Sequence, residues 1–464
     1  MVASLLSAPF VPLLYLRPRF RQDPDWSYRQ ALVTTLMKAC LRAFVVLRMK
    51  PTPRTSLKAG CDGDRFVTIE PAPTDLYTGI TVDDKINPAT IGGTWFPSRY
   101  QYDTTTSQDR PIILHFHGGS YIIGDGRTSS CKYLAKSLLE NTPASHIFSV
   151  QYRLARNRSS RFPAQLQDAI AAYSYFIHTL HIPATRIVLS GDSAGGHLAL
   201  ALLRYISDYD DETVLPPPTC CWLFSPWCDI PGALNQRLWE NIPNEQTDYI
   251  PPSFAEWGAK YVIGDLELTR ENEGYLAPIW HPFALPSPVI VISGGREVMC
   301  QEHDRLTRHL RRLQQNEGRV EFFVHDSLPH DILMVAYLMD LKKEADDCSS
   351  KAGNFLSRVL GASDDNILVP PSILALLSPN SEGSWRVVSY GHNHSQPTAR
   401  DLCGDVDSIL LLGSAETFMQ MPCRCPDFVP NTNTESPYYS DTSEDTRSEG
   451  WKGLTYACHA TLSL

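Results

Sequence analysis

From about residue 111 the chain alternates between short, continuously apolar runs and helix-patterned segments, and few folds accommodate that alternation. The β-type runs fall at 112–116, 147–150, 187–189, 220–224, 289–292 and 320–324. Helical patterning occupies 161–180, 194–206, 299–315 and 332–359. A strand that is apolar on both sides must be covered on both faces, and intervening helices do this when the strands run mostly parallel. The expectation is therefore an α/β fold with a mostly parallel central sheet and helices on both faces. Shorter β-like pieces at 66–69 and 94–96 come before it. Earlier still, 26–49 reads as a helix, because Trp26, Leu32, Leu36, Phe44 and Leu47 recur at helical intervals.

The 464 residues, 43% apolar and 20% charged, can bury a large core and exclude a coiled coil or a wholly disordered chain. The net charge of −10 argues against a nucleic-acid partner. Much of that acidity sits in 362–464, where thirteen Asp/Glu face five Lys/Arg in a Ser/Thr-rich, Pro-punctuated sequence. The expected organisation is an N-terminal arm and cap helix over 1–60, a catalytic domain over 61–361 and an acidic, largely disordered tail over 362–464. The apolar stretch 3–16 contains Pro9 and Pro12 and is too short to span a bilayer. It reads as an arm packed over the domain, with contact to a membrane surface as the alternative. Twelve cysteines form no paired framework, and Cys220 and Cys221 read as buried thiols. Cys403, Cys423, Cys425, Cys458 and His459 match no standard zinc spacing, so no metal is expected. A cytoplasmic location is the expectation.

The residues that carry chemistry lie where apolar runs end. Gly191-Asp192-Ser193-Ala194-Gly195 comes after one run and opens a helix. Small residues around a serine permit a sharp strand-to-helix turn that exposes Oγ at the carboxyl edge of a sheet. His115-Phe-His117-Gly118-Gly119-Ser120-Tyr121 comes after another, and successive amides in a glycine loop can approach a developing oxyanion closely. A serine nucleophile needs a base and an orienting acid. Past the run ending near 293 come Glu297, Glu302 and Asp304; past the run ending near 324 come His325 and His330.

Taken together these motifs resemble the hormone-sensitive-lipase-like branch of the α/β-hydrolases, over about residues 111–335. The ordered series is His117-Gly-Gly-Ser120, Tyr152-Arg-Leu-Ala155, Phe162-Pro-Ala164 with Asp168, Gly191-Asp-Ser-Ala-Gly-Gly196 and Ser225-Pro-Trp227. The resemblance implies an α/β-hydrolase fold and a serine esterase that uses no cofactor. It implies Ser193 as nucleophile, Glu297 as acid and His330 as base, with Glu302, Asp304 and His325 as competitors. It also implies an oxyanion hole drawn from Gly118, Gly119, Ser120 and Ala194. Ser120 stands where the family usually has a third glycine. Asp331 is assigned to capping the next helix, His117 to shaping the oxyanion loop, and Trp227 and Tyr121 to the pocket or the core. The chain also looks like fungal members of the branch, several of which tailor secondary metabolites or remove acetyl groups. The partner is then a small-molecule ester. An acyltransferase using the same triad and a non-catalytic receptor on the same fold are the alternatives.

Overall fold

The computed structural model describes residues 11–47, 56–101, 110–209, 211–235 and 242–364. The expected tail lies outside the described residues beyond Asp364, and its cysteines with it. Eight strands form one sheet: β1 (Phe66–Ile69), β2 (Ile91–Phe96), β3 (Ile112–Phe116), β4 (His146–Gln151), β5 (Ile187–Asp192), β6 (Cys220–Phe224), β7 (Val289–Gly294) and β8 (Val320–His325). Their spatial order is β1-β2-β4-β3-β5-β6-β7-β8. β2 runs antiparallel to β1 and β4, and every other pairing is parallel. Each apolar run is a strand, and β3, β5, β6 and β7 are buried along their whole length. That burial on both faces is why their sequences lack polar alternation.

The helices are α1 (Tyr28–Val46), α2 (Thr128–Asn141), α3 (Ala164–Ser174), α4 (Ala194–Asp208), α5 (Pro252–Ile263), α6 (Arg270–Leu276), α7 (Cys300–Arg311), α8 (Ile332–Met339) and α9 (Lys342–Asp364). One expectation is corrected here. The segment 332–359 is two helices, because Asp340 adopts a left-handed conformation (φ 63°) that ends α8. Cys131, Cys220, Cys221, Cys228 and Cys348 are buried thiols. Among the described residues no helix is long and apolar enough to cross a membrane.

Parallel pairing puts the carboxyl ends of β3, β5, β6, β7 and β8 on one edge of the sheet, where α/β folds bind their ligands. The N-terminal segment is tied to the elements around that edge. The Ser27 hydroxyl accepts the Gln30 amide and starts α1, which packs on α5 and α8. Arg29 donates to the carbonyls of Tyr337 and Leu338 in α8, and Arg296, next to Glu297, pairs with Asp23 at 2.8 Å.

Candidate active site

The turn from β5 into α4 is tight enough to exclude side chains at two positions. A Cβ on Gly191 would lie 2.2 Å from the Gly195 carbonyl oxygen, and one on Gly195 would lie 1.8 Å from the Phe116 carbonyl oxygen. Between them Ser193 holds φ 49°, ψ −115°, a conformation costly for a residue with a Cβ. The turn therefore exists only with glycine on both sides. Gly195→Ala is expected to lower folding stability by about 3 kcal/mol or more, since the added methyl meets backbone that cannot swing aside. Chemical denaturation measures it, and an unchanged midpoint would refute the packing argument.

The elbow, the β7 end and the β8 end converge. Ser193 Oγ lies 2.8 Å from His330 Nε2, and His330 Nδ1 lies 2.7 Å from Glu297 Oε2. The structure thus brings together residues spread over 137 positions of chain. The competitors fall elsewhere. Asp304 pairs with Arg308, Glu302 sits on α7 beside Asp229, and His325 faces the Ser327 hydroxyl on the exposed side. Burial pushes Glu302 up to about 8, and the neighbouring Asp229 adds to the effect.

Glu297 is fully buried and is held by donors. Its Oε1 accepts the Gly294 amide at 2.7 Å, the Ser293 hydroxyl at 2.7 Å and the Ser225 hydroxyl at 3.0 Å. Burial alone would raise its pKa, but His303 and His330 outweigh that and hold it well below the usual carboxylate range. His330 is shifted the other way. Burial lowers its pKa, yet the Glu297 hydrogen bond and charge leave it above the ordinary value.

The glycine loop expected to form the oxyanion hole lies beside the elbow, with the site of a Gly118 Cβ only 3.1 Å from Ser193 Cβ. One expected donor is corrected. The Gly118 N–H donates to Asp192 Oδ2 at 2.7 Å and so is committed to holding the loop. The amides of Gly119, Ser120 and Ala194 have no partner among the described residues. Ser120 and Tyr121 take φ 50° and 63°, left-handed values that turn the loop. Helix α5 backs onto it so closely that a Cβ on Gly258 would lie 2.6 Å from the Ser120 carbonyl oxygen. His117 shapes the loop through Nδ1–H to the Gly118 carbonyl at 2.7 Å and by stacking on Tyr152 with ring centroids 4.4 Å apart. Tyr121 is a core residue, its hydroxyl 2.6 Å from His197 Nδ1.

Asp331 occupies the cap position of α8 but makes no capping bond from its side chain. Its carboxyl faces Asp192 instead. As two carboxylates the pair would leave both Asp331 oxygens without a donor. A proton on Asp331 lets one of these oxygens donate to Asp192, and burial together with Asp192 raises its pKa well above the usual range. Asp192 feels the same burial, but His115 Nε2, 2.9 Å away, keeps it low and ionised. This pair joins the residue before Ser193 to the residue after His330. Asp168 has a comparable fixing role in the Tyr-Arg-Leu-Ala segment, gripping the Arg153 amide at 2.7 Å and its guanidinium at 2.8–3.0 Å.

The match to known proteins covers the same span. Residues 113–334 match a family model described as alpha/beta hydrolase fold. These residues form an α/β-hydrolase domain. Its relatives include an acetyl-hydrolase of Streptomyces hygroscopicus, 37% identical over 205 residues that cover 41% of this chain and 59% of the relative. Lipase 2 of Moraxella sp. (strain TA144) is 33% identical over 239 residues, 48% of this chain and 53% of the relative. The chain thus spans little more than half the length of either. A hyperthermophilic esterase from the archaeon Pyrobaculum calidifontis shares the fold at 17% identity and a TM-score of 0.50, covering 71% of this chain and 94% of that one.

Three residues of this α/β-hydrolase domain escaped the sequence reading. Asp248 accepts the Val298 amide at 2.7 Å, and burial lifts its pKa to about 6. Tyr249 stands 6.0 Å from the His330 ring, its buried hydroxyl without a partner among the described residues. His303 lies behind Glu297. The first two sit in a Pro/Asn/Glu-rich loop with no periodicity, and the third on a charged helix, so local pattern singles out none of them.

Proposed function

We propose that the chain is a serine hydrolase that cleaves carboxylic esters of small molecules through an acyl-enzyme. The observation that carries this is the unbroken relay from Ser193 Oγ to His330 to Glu297, at 2.8 and 2.7 Å. In this reading His330 Nε2 takes the hydroxyl proton as Ser193 attacks the ester carbonyl. The amides of Gly119, Ser120 and Ala194 receive the oxyanion. Glu297 fixes the imidazole with its proton on Nδ1 and stabilises the imidazolium. The alcohol leaves with the proton from His330, and water then cleaves the acyl-enzyme by the reverse use of the same groups. The receptor alternative loses ground, since a pocket that only binds needs no imidazole within bonding reach of the serine.

The acetyl-hydrolase named among the relatives supports a short acyl group, and deacetylation of a secondary metabolite belongs to this proposal. So does a capping role for the N-terminal segment, supported by the packing of α1 on α5, whose Gly258 backs onto the oxyanion loop. A cytoplasmic setting belongs to it as well, and the buried reduced thiols fit that. The test uses the full chain and p-nitrophenyl esters from acetate to decanoate, with fluorophosphonate labelling of Ser193. Labelling with turnover that is highest on the shortest acyl groups is expected. A chain that neither labels nor turns over any ester would overturn the reading, and product analysis with added alcohols separates hydrolysis from acyl transfer.

A further inference from the structure

Behind the acid of the proposed triad lies a second buried histidine, His303 on α7, fully enclosed. Its ring touches three groups. Nε2 lies 2.8 Å from the carbonyl oxygen of Pro226, Nδ1 lies 2.8 Å from Ser293 Oγ, and Nδ1 lies 3.4 Å from Glu297 Oε1. Only one arrangement of protons satisfies these contacts. A carbonyl oxygen only accepts, so Nε2 carries a hydrogen. Ser293 Oγ and Glu297 Oε1 are 2.7 Å apart, a distance that requires a proton between two oxygens. That proton belongs to Ser293, because Oε1 already accepts the Gly294 amide and the Ser225 hydroxyl while Oε2 accepts from His330. Ser225 has no freedom to take another part, since its oxygen accepts the Asp331 amide. The one hydrogen of Ser293 is thus in use, and its 2.8 Å contact with His303 Nδ1 needs a hydrogen on the nitrogen.

We infer that His303 is a buried imidazolium, the permanent counter-ion of Glu297, and that it positions and tunes the acid from the side opposite His330. The inference rests on the proposed triad for its consequence, though not for its protonation state. It is a positioning residue, since nothing it touches is a reacting atom. A carboxylate facing one cation exerts a weaker field on a second one. His303 therefore limits how far Glu297 raises the proton affinity of His330, and it keeps the base neutral further into the acid range. The groups that act on His330 besides Glu297 are Asp248 and Asp192. Those around His303 are Glu297, Cys300 beside the Ser293 hydroxyl, and Cys228, whose thiol shares the Pro226 carbonyl. None of these besides His303 is a cation, so removing it leaves Glu297 uncompensated on that side.

The test has two arms on the full chain. In the first, 15N-histidine spectra at pH 7.5 are assigned with His303→Gln, or with His303→Asn where the glutamine variant does not fold. Both ring nitrogens of His303 are expected to carry protons; an unprotonated nitrogen there overturns the inference. In the second, the acid limb of kcat/KM on a p-nitrophenyl ester is measured against pH. It reports the neutral form of His330, and loss of the compensating charge should move it upward by about one pH unit. A limb that stays put or moves down also overturns the inference, whereas a general loss of packing would lower the plateau without moving the limb. The first arm needs no turnover, so a chain that carries the imidazolium yet hydrolyses no ester refutes the hydrolase proposal alone.

Discussion

Ser193→Ala is expected to lower ester turnover by roughly a million-fold, the loss met when the nucleophile of a comparable serine triad is removed. The hydroxyl has one partner in the structure, His330 Nε2, and the backbone at 193 is held by its neighbours. Alanine meets the same backbone penalty as serine at φ 49°, so folding should be untouched. Denaturation curves of the two proteins should superimpose while kcat collapses. What activity remains should reflect substrate binding and the amides of Gly119, Ser120 and Ala194, which survive the change. A variant that keeps turnover within tenfold of the parent would remove Ser193 from the mechanism and leave the sheet-edge geometry without a use.

The second large effect is expected at Glu297→Gln, where kcat should fall by roughly ten-thousand-fold, as when a triad acid becomes an amide with its geometry intact. Three donors, from Gly294, Ser293 and Ser225, point at Oε1. The glutamine carbonyl oxygen must take that side, which turns its NH2 toward His330 Nδ1. That nitrogen then accepts, the ring proton moves to Nε2, and the imidazole can no longer receive the Ser193 proton. The 15N shifts of His330 in the variant should report the exchanged tautomer. A normal tautomer with normal turnover would show that Glu297 does not orient the base.

Much of this site was legible in the sequence because strand ends were legible. A buried parallel strand must be apolar throughout, so β3, β5, β6 and β7 stand out, the half-buried edge strand β8 shows by its apolar majority, and the residues just past each of them land on the same edge. Position past a strand end put Ser193, Glu297 and His330 among the candidates, and the resemblance chose them over Glu302, Asp304 and His325. The hidden features depend on groups distant in sequence. That Gly118 gives its N–H to Asp192 is a result of β3 lying beside β5, and no local pattern encodes it. The pairing of Asp331 with Asp192 needed two loops 139 positions apart to meet, so a capping role was the natural reading of the residue before a helix. Helix α2 went unread although Cys131, Leu134, Ala135 and Leu138 line its buried face, because Arg127 before it offers no cap. The break at Asp340 was missed because an aspartate in a left-handed turn looks like any polar residue on a helix surface.

Among the described non-glycine residues with positive φ are Ser120, Tyr121, Ser193, Ser225 and Asp331, all around one edge of the sheet. Each would relax if the chain near it let go, and Ser193, Ser225 and Asp331 are kept by bonds between their loops, Ser193 N–H to Phe224, Trp227 N–H to Ser193 and Asp331 N–H to Ser225. Breeding this protein for heat resistance without watching its chemistry would therefore reward glycine at Ser193, whose side chain makes only the one bond to His330. The survivors of such a regime would be sturdier and inert.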